Sequence, residues 1–127
     1  MLLRRHFLFT LIWATGIFIL YMLSNSELAV IDLSTLFEPD KLAHAGVFCV
    51  LMCSLTLSLH KQPKHKKLRR NATRNSAIIS SVYGVLLESS HGVHADRSFD
   101  LMDILANEVG ILLGIVIIRI IFRDIIT

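Results

Sequence analysis

Residues 104–122 read ILANEVGILLGIVIIRIIF, and this stretch decides the fold class. From residue 111 onward it is apolar nearly all round, with Arg119 as its one charged residue. A surface helix of a water-soluble protein keeps a polar face at a period of 3.6 residues, whereas a helix surrounded by lipid needs none. About 20 apolar residues are enough to cross the hydrocarbon core of a bilayer. The stretch therefore predicts a transmembrane helix.

Three further apolar stretches precede it, at residues 7–23, 42–59 and 77–93. The hydrophobic fraction of the chain is 54% and its mean hydropathy is +0.62, both more than a water-soluble core of this size requires. Together with the stretch at 104–122, they predict an all-α polytopic membrane protein. We expect a four-transmembrane-helix bundle that forms a single domain over residues 1–127.

The connection between the second and third stretches, residues 60–76, is strongly basic. It reads HKQPKHKKLRRNATRNS and contains no acid. Cytoplasmic connections of membrane proteins are enriched in Lys and Arg, so we expect this loop in the cytoplasm with both ends of the chain. Among the Lys and Arg residues, that orientation leaves only Lys41 and Arg97 outside. The loop could instead bind nucleic acid or anionic lipid, but topology alone accounts for its charge, and it has no aromatic residues for base stacking. We expect no nucleic-acid partner.

Polar side chains inside membrane spans are costly, and here they gather at the outer ends of three predicted helices. The second helix begins with Asp40, Lys41 and His44, and the third ends with Glu88 and His91. The fourth is entered through acidic and amide residues: Asp100, Asp103, Asn107 and Glu108. At a rise of about 1.5 Å per residue these groups fall at similar depth, so we expect them to converge.

The residue types support three interpretations of this convergence. The cations Lys41 and Arg97 could neutralise the acids and only fix the helix register. They could instead clamp the phosphate or carboxylate of a ligand at the outer leaflet. Catalysis would require Glu88 with His44 or His91 as acid and base, in a site of low dielectric constant. The predicted ligand-binding set comprises Lys41, His44, Glu88, Arg97, Asp103 and Asn107.

Two glycines of the fourth helix, Gly110 and Gly114, form the small-xxx-small pattern that lets membrane helices approach closely. Their contact could lie within one chain or between chains, which leaves oligomerisation open. No H-E-x-x-H, C-x-x-C or phosphate-binding glycine motif occurs in the sequence. We therefore expect neither a metal nor a cofactor.

Several of these residues together resemble the VanZ-like family of small bacterial membrane proteins. The resemblance is carried by D-K-x-x-H at residues 40–44, by Glu88, and by R-x-x-D-x-x-D-x-x-x-N-x-x-G at residues 97–110. His91 stands where the family pattern usually has Gln. The resemblance implies a multi-pass protein of the bacterial cytoplasmic (inner) membrane. The namesake of the family is linked to low-level resistance to the glycopeptide teicoplanin, which acts on the cell envelope.

The sequence leads to one main hypothesis and two alternatives. In the main hypothesis, the outer polar cluster binds the anionic head group of a membrane lipid or of a lipid-linked envelope precursor, with a link to glycopeptide resistance. In the first alternative, the protein is a membrane-embedded hydrolase or transferase that uses Glu88 with His44 or His91. In the second, the bundle is structural or holds partner proteins. The residues favour binding over catalysis without deciding between them.

Overall fold

The computed structural model describes residues 2–23, 39–91 and 101–126. Within these ranges it contains no strand. The helices are α1 Leu2–Leu23, α2 Pro39–Lys61, α3 Lys66–Arg70, α4 Ala72–His91, α5 Leu101–Ile121 and α6 Arg123–Ile126. The predicted all-α fold is confirmed.

Three of the long helices, α1, α2 and α5, are long and apolar enough to cross a membrane. The candidate membrane spans are Arg4–Met22, Lys41–Lys61 and Leu101–Ile121. α1 and α5 expose large apolar side chains such as Ile12 and Leu112, which is expected of helices in contact with lipid. The chain is a membrane protein, as predicted.

The fourth long helix, α4, is interrupted by polar residues and does not reach the hydropathy of the other three. It has 20 residues, the length of a span. The side chains of Ser76, Ser80 and Glu88 are buried inside the bundle, whereas Ile78 and Leu86 are exposed. The expected fourth span therefore stays a prediction.

Side-chain contacts define the relative direction of α1 and α2. Near the start of α1, His6 Nε2 lies 3.1 Å from the Nζ of Lys61 at the end of α2. Further along α1, the indole N–H of Trp13 donates to the carbonyl oxygen of Val47 at 3.0 Å. Residue numbers therefore rise in opposite senses along the two helices, which are antiparallel.

α2 and α5, in contrast, run parallel and make the most extensive helix contact of the fold. Gly110 faces Ala45, and Gly114, one turn later, faces Met52. A Cβ at Gly110 would overlap the carbonyl oxygen of Ala45, and one at Gly114 would lie 2.8 Å from the Met52 side chain. These two glycines let the backbones of α2 and α5 approach closely within one chain.

α4 follows α3 and runs back along α2, so that its Gly84 faces Phe48. The long helices thus alternate in direction along the chain. We call the end where α2 and α5 begin the polar end, and the opposite end, where α1 and α4 begin, the basic end. The core between them is a cluster of buried residues dominated by α2: Ile17, Tyr21, Phe48, Leu51, Met52, Leu87 and Ile111.

The basic connection is more ordered than the loop expected at residues 60–76. α2 continues to Lys61, α3 occupies Lys66–Arg70, and α4 begins at Ala72. The buried Gln62 side chain closes the intervening turn, since its Nε2 donates to the His65 carbonyl at 2.6 Å and its Oε1 accepts from the His65 N–H at 2.9 Å. The helices are longer than their apolar stretches because backbone hydrogen bonding continues where polar side chains are solvated.

Candidate functional site

Three side chains from three helices meet at the polar end: Tyr21 of α1, His44 of α2 and Asn107 of α5. The phenol oxygen of Tyr21 lies 2.5 Å from His44 Nδ1, and Asn107 Oδ1 lies 3.1 Å from the same nitrogen. Asn107 Nδ2 donates to the Tyr21 oxygen at 3.2 Å. Tyr21 and Asn107 are buried and His44 is partly buried. We call these residues the Tyr–His–Asn cluster.

Asp103 extends the cluster on the other side of the imidazole. It lies one helical turn before Asn107 on α5, and its Oδ2 is 4.0 Å from His44 Nε2. The ring of His44 therefore lies between the Asp103 carboxylate and the Tyr21 phenol. The rings of His44 and Tyr21 are in edge-on contact, with their centroids 5.0 Å apart. Such a carboxylate helps to fix the orientation of the imidazole ring.

Both ring nitrogens of His44 face polar groups of neighbouring helices. Nδ1 faces the Tyr21 hydroxyl and the Asn107 amide oxygen, and Nε2 faces the Asp103 carboxylate. The imidazole is therefore oriented from both sides, by α1 and α5.

Helical spacing explains why these polar side chains meet inside the bundle. Tyr21 follows Ile17 by four residues on α1, and His44 precedes Phe48 by four residues on α2. Residues four apart share a helix face, and both apolar residues belong to the buried core. Each polar side chain thus continues the buried face of its own helix to the polar end.

Gly84 of α4 provides the space in which Asn107 lies. A Cβ at position 84 would be 3.2 Å from Asn107 Nδ2 and 3.1 Å from the Phe48 ring, closer than nearly all real Cβ contacts. A hydrogen bond also joins α4 to α5, since the Ser81 hydroxyl donates to Glu108 Oε2 at 3.0 Å. The packing of α4 on α5 is therefore part of the site.

Glu88 is an acid inside the bundle near this cluster. It follows Gly84 by one turn on the buried face of α4, and only 1% of its surface is exposed. A carboxyl group removed from water to this degree requires hydrogen bonds or a compensating charge. Its burial at the polar end makes it the second unusual feature of the site.

The predicted ligand-binding residues have different outcomes. His44, Asp103 and Asn107 come together directly, and Lys41 lies on α2 one turn before His44, partly buried. Glu88 is at the same end of the bundle. That these residues bind a ligand stays a prediction.

Two other predicted residues cannot be placed in the same way. Arg97, the second cation of the expected anion clamp, lies outside the described residues. His91 ends α4, but its side chain also lies outside them. Among the described side chains, no group of three or more His, Cys, Asp or Glu residues is positioned to hold a metal ion.

Tyr21 is the member of the cluster that the sequence analysis missed. A single tyrosine near the end of an apolar stretch is common at the membrane–water interface and carries no specific signal. The available signal was its spacing: Trp13, Ile17 and Tyr21 follow one another at steps of four, which places Tyr21 on the face of α1 that packs against α2.

The family model for VanZ/LLP1 matches residues 6–123. The chain belongs to the VanZ/LLP1 family. No curated protein and no solved structure matches it. The VanZ/LLP1 match begins in α1 and therefore includes the helix that carries Tyr21, which lies outside the motifs at residues 40–110. The predicted resemblance to VanZ-like proteins is confirmed, and the Tyr–His–Asn cluster lies within the matched region.

Proposed function

We propose that this protein crosses the bacterial cytoplasmic membrane four times, with both ends of the chain in the cytoplasm, and that its polar end binds an anionic head group at the outer leaflet. The head group belongs to a membrane lipid or to a lipid-linked envelope precursor. The observation that carries the proposal is the Tyr–His–Asn cluster, a buried polar network with Lys41 one helical turn away.

The proposed topology rests on the charges of the two ends. The basic end collects Arg4 and Arg5 of α1 and the basic α3, whose sequence is KKLRR. Connections rich in Lys and Arg stay in the cytoplasm, so the polar end faces outward. α4 is counted as the fourth span because 20 helical residues cover about 30 Å and its Ser76, Ser80 and Glu88 side chains are buried in the bundle.

Helix direction supports an anionic ligand at the polar end. Because α2 and α5 are parallel, both present their N-terminal ends there, with the partial positive charge of unsatisfied backbone N–H groups. Asp103 in the first turn of α5 supplies one negative charge. Lys41 in the first turn of α2 supplies a positive charge that could bind a phosphate or carboxylate.

The direct test is native mass spectrometry of the protein extracted in a mild detergent, comparing the co-purifying lipids of wild type, Lys41→Ala and His44→Gln. Lys66→Ala removes the same charge at the basic end and serves as the matched control. We expect an anionic lipid that both polar-end variants lose and the control retains. Equal lipid retention in all four folded proteins would overturn the binding proposal.

A second candidate function is supported by the position of His44 between Asp103 and Tyr21. A carboxylate-oriented imidazole is the usual arrangement of a general base, and a buried acid such as Glu88 can supply a proton. The protein would then be a membrane-embedded hydrolase or transferase acting on the bound lipid. Glu88→Gln would abolish turnover of the retained lipid while leaving its binding intact. If no bound lipid is ever converted, binding without catalysis is the function.

Binding of an envelope precursor at the polar end would link this protein to glycopeptide resistance, since glycopeptides act on such precursors outside the membrane. Expression of wild type in a susceptible bacterium should raise the teicoplanin concentration needed to stop growth, and expression of His44→Gln at the same level should not. If the two proteins have the same effect, the polar end is not involved in resistance. A bundle with a purely structural role would show only loss of stability in these variants.

A further inference from the structure

An apolar groove runs along the outside of α1 from the basic end toward the middle of the bundle. Its walls come from three helices: Phe7, Leu11 and Ala14 of α1, Leu55 of α2, and Ile79 and Tyr83 of α4. The groove has a volume of about 260 Å³ and is lined almost entirely by apolar atoms. Phe7, Leu11 and Ile79 are each more than 40% exposed, so the groove opens sideways to the lipid.

The length of the groove matches one leaflet of the bilayer. Its inner end is closed where the Tyr83 hydroxyl donates to the carbonyl oxygen of Ala14 at 2.5 Å. Toward the basic end, Phe7 and Leu11 also line a second, more open depression together with Arg4. From Arg4 to Ala14, the rise of an α-helix amounts to roughly 15 Å, half of the ~30 Å hydrocarbon core. A single acyl chain from one leaflet fits this span.

The rim of the groove at the basic end carries positive charge. Arg4 borders the depression, and Lys61 Nζ lies 3.1 Å from His6 Nε2 on the adjoining turn of α1. Arg4 and Lys61 thus both lie at the basic end, on the two adjacent helices α1 and α2. Among the described residues of the basic end, the only acid is Asp124 on α6. An anion between Arg4 and Lys61 would balance this local charge.

We propose that this groove binds an anionic phospholipid of the leaflet at the basic end, with one acyl chain in the groove and the phosphate between Arg4 and Lys61. Lys61 donates to the phosphate from the end of α2 and Arg4 from the start of α1. Lipid at this site bridges α1 to α2 and α4. The site lies at the opposite end of the bundle from the Tyr–His–Asn cluster. Lipid binding in the groove can therefore be tested independently of ligand binding at the polar end.

The test uses the purified full-length protein and two synthetic lipids with identical acyl chains, phosphatidylglycerol and phosphatidylcholine, titrated in native mass spectrometry. We expect wild type to retain phosphatidylglycerol preferentially. Arg4→Ala and Lys61→Ala should each lower its retention about fivefold, the effect of one basic residue at an anionic lipid surface. Ala14→Leu, which fills the groove, should lower retention without any change in charge.

Matched controls separate this site from general attraction to a basic surface. Arg70→Ala removes one exposed charge from α3 at the same end, and Gly16→Leu enlarges α1 on another face, where a Cβ meets nothing within 4 Å. Both should retain phosphatidylglycerol like wild type. The proposal is overturned if the two lipids are retained equally, or if Arg70→Ala lowers retention as much as Arg4→Ala and Lys61→Ala do. Glycerol phosphate should not displace the lipid, and displacement would show an anion site without an acyl-chain groove.

Discussion

The phenol oxygen of Tyr21 lies 2.5 Å from Nδ1 of His44, and this contact ties the end of α1 to the start of α2. Tyr21 is 7% exposed, so the hydrogen bond is shielded from water. Tyr21 is therefore part of a buried polar network and not an isolated tyrosine at the membrane interface. The contact fixes one side of the imidazole while the opposite nitrogen faces Asp103.

Tyr21→Phe should therefore destabilise the protein and disturb the cluster. The substitution removes the hydroxyl but leaves its buried partners His44 and Asn107, and unsatisfied buried polar groups cost about 1–3 kcal/mol. The thermal midpoint in detergent should fall, and anionic-lipid retention at the polar end should fall with it. Tyr83→Phe is the matched control, because it also removes a hydroxyl that donates a hydrogen bond, at 2.5 Å to the carbonyl oxygen of Ala14, two turns before Tyr21 on α1. Similar loss of polar-end lipid in both variants would contradict a special role for Tyr21.

Gly110→Ala should be the most damaging alanine substitution among the glycines that the structure describes. Its Cβ would overlap backbone atoms of Ala45, which cannot move away as a flexible side chain can. Overpacking of this kind costs about 1–3 kcal/mol or more, because α5 must shift away from α2. Gly16→Ala provides the control, since its Cβ meets nothing within 4 Å, and alanine is the better helix former. The free energy of unfolding, measured by denaturant titration in mixed micelles, should separate the two variants clearly. Equal stability would mean that α2 and α5 are not in close contact.

Gly84→Ala should affect the site more than the fold. The added Cβ would press on the Asn107 amide and the Phe48 ring at just over 3 Å, so that a shift of a few tenths of an ångström relieves it. We expect a smaller loss of stability than for Gly110→Ala, together with a several-fold loss of lipid retention at the polar end. Gly114→Ala, whose Cβ would lie 2.8 Å from Met52 Cβ and 3.1 Å from the Cys49 carbonyl oxygen, should lower stability but leave retention by the folded protein unchanged, because it lies two turns beyond Asn107. A variant at position 84 that binds lipid like wild type would show that Asn107 does not contribute to binding.

The proposed topology predicts the labelling of single cysteines in intact cells. With Cys49 and Cys53 replaced by alanine, Leu101→Cys at the start of α5 should react with a membrane-impermeant maleimide from outside. Lys66→Cys on α3 should react only after the membrane is permeabilised. Neither position is covered by other residues of the bundle, and each lies at a helix end, where a reagent on that side of the membrane should reach it. Labelling of both residues from the same side would exclude a crossing by α4 between them.

Much of the fold was predictable from composition and periodicity. The stretches at 7–23, 42–59 and 104–122 correspond to the three helices that are apolar enough to span a membrane. The ends of the helices were predicted less accurately from the apolar stretches. For example, α4 begins at Ala72 rather than near residue 77. Hydropathy detects where a segment prefers lipid, whereas a helix continues as long as its backbone hydrogen bonds do. The motif residues at 40–44 and 97–110 also indicated the VanZ/LLP1 family correctly.

What the sequence determined by itself is that the chain forms long helices that prefer lipid, with charge collected at one end and polar residues at the other. Tertiary structure alone decided that α2 packs in parallel on α5 through Gly110, that Tyr21 completes the cluster around His44, and that Gly84 makes room for Asn107. The physical reason is that apolar side chains gain as much from lipid as from another helix, so hydropathy does not choose partners. The packing partners of each helix are determined by close backbone approach and by buried hydrogen bonds. Both depend on the rotation and direction of each helix.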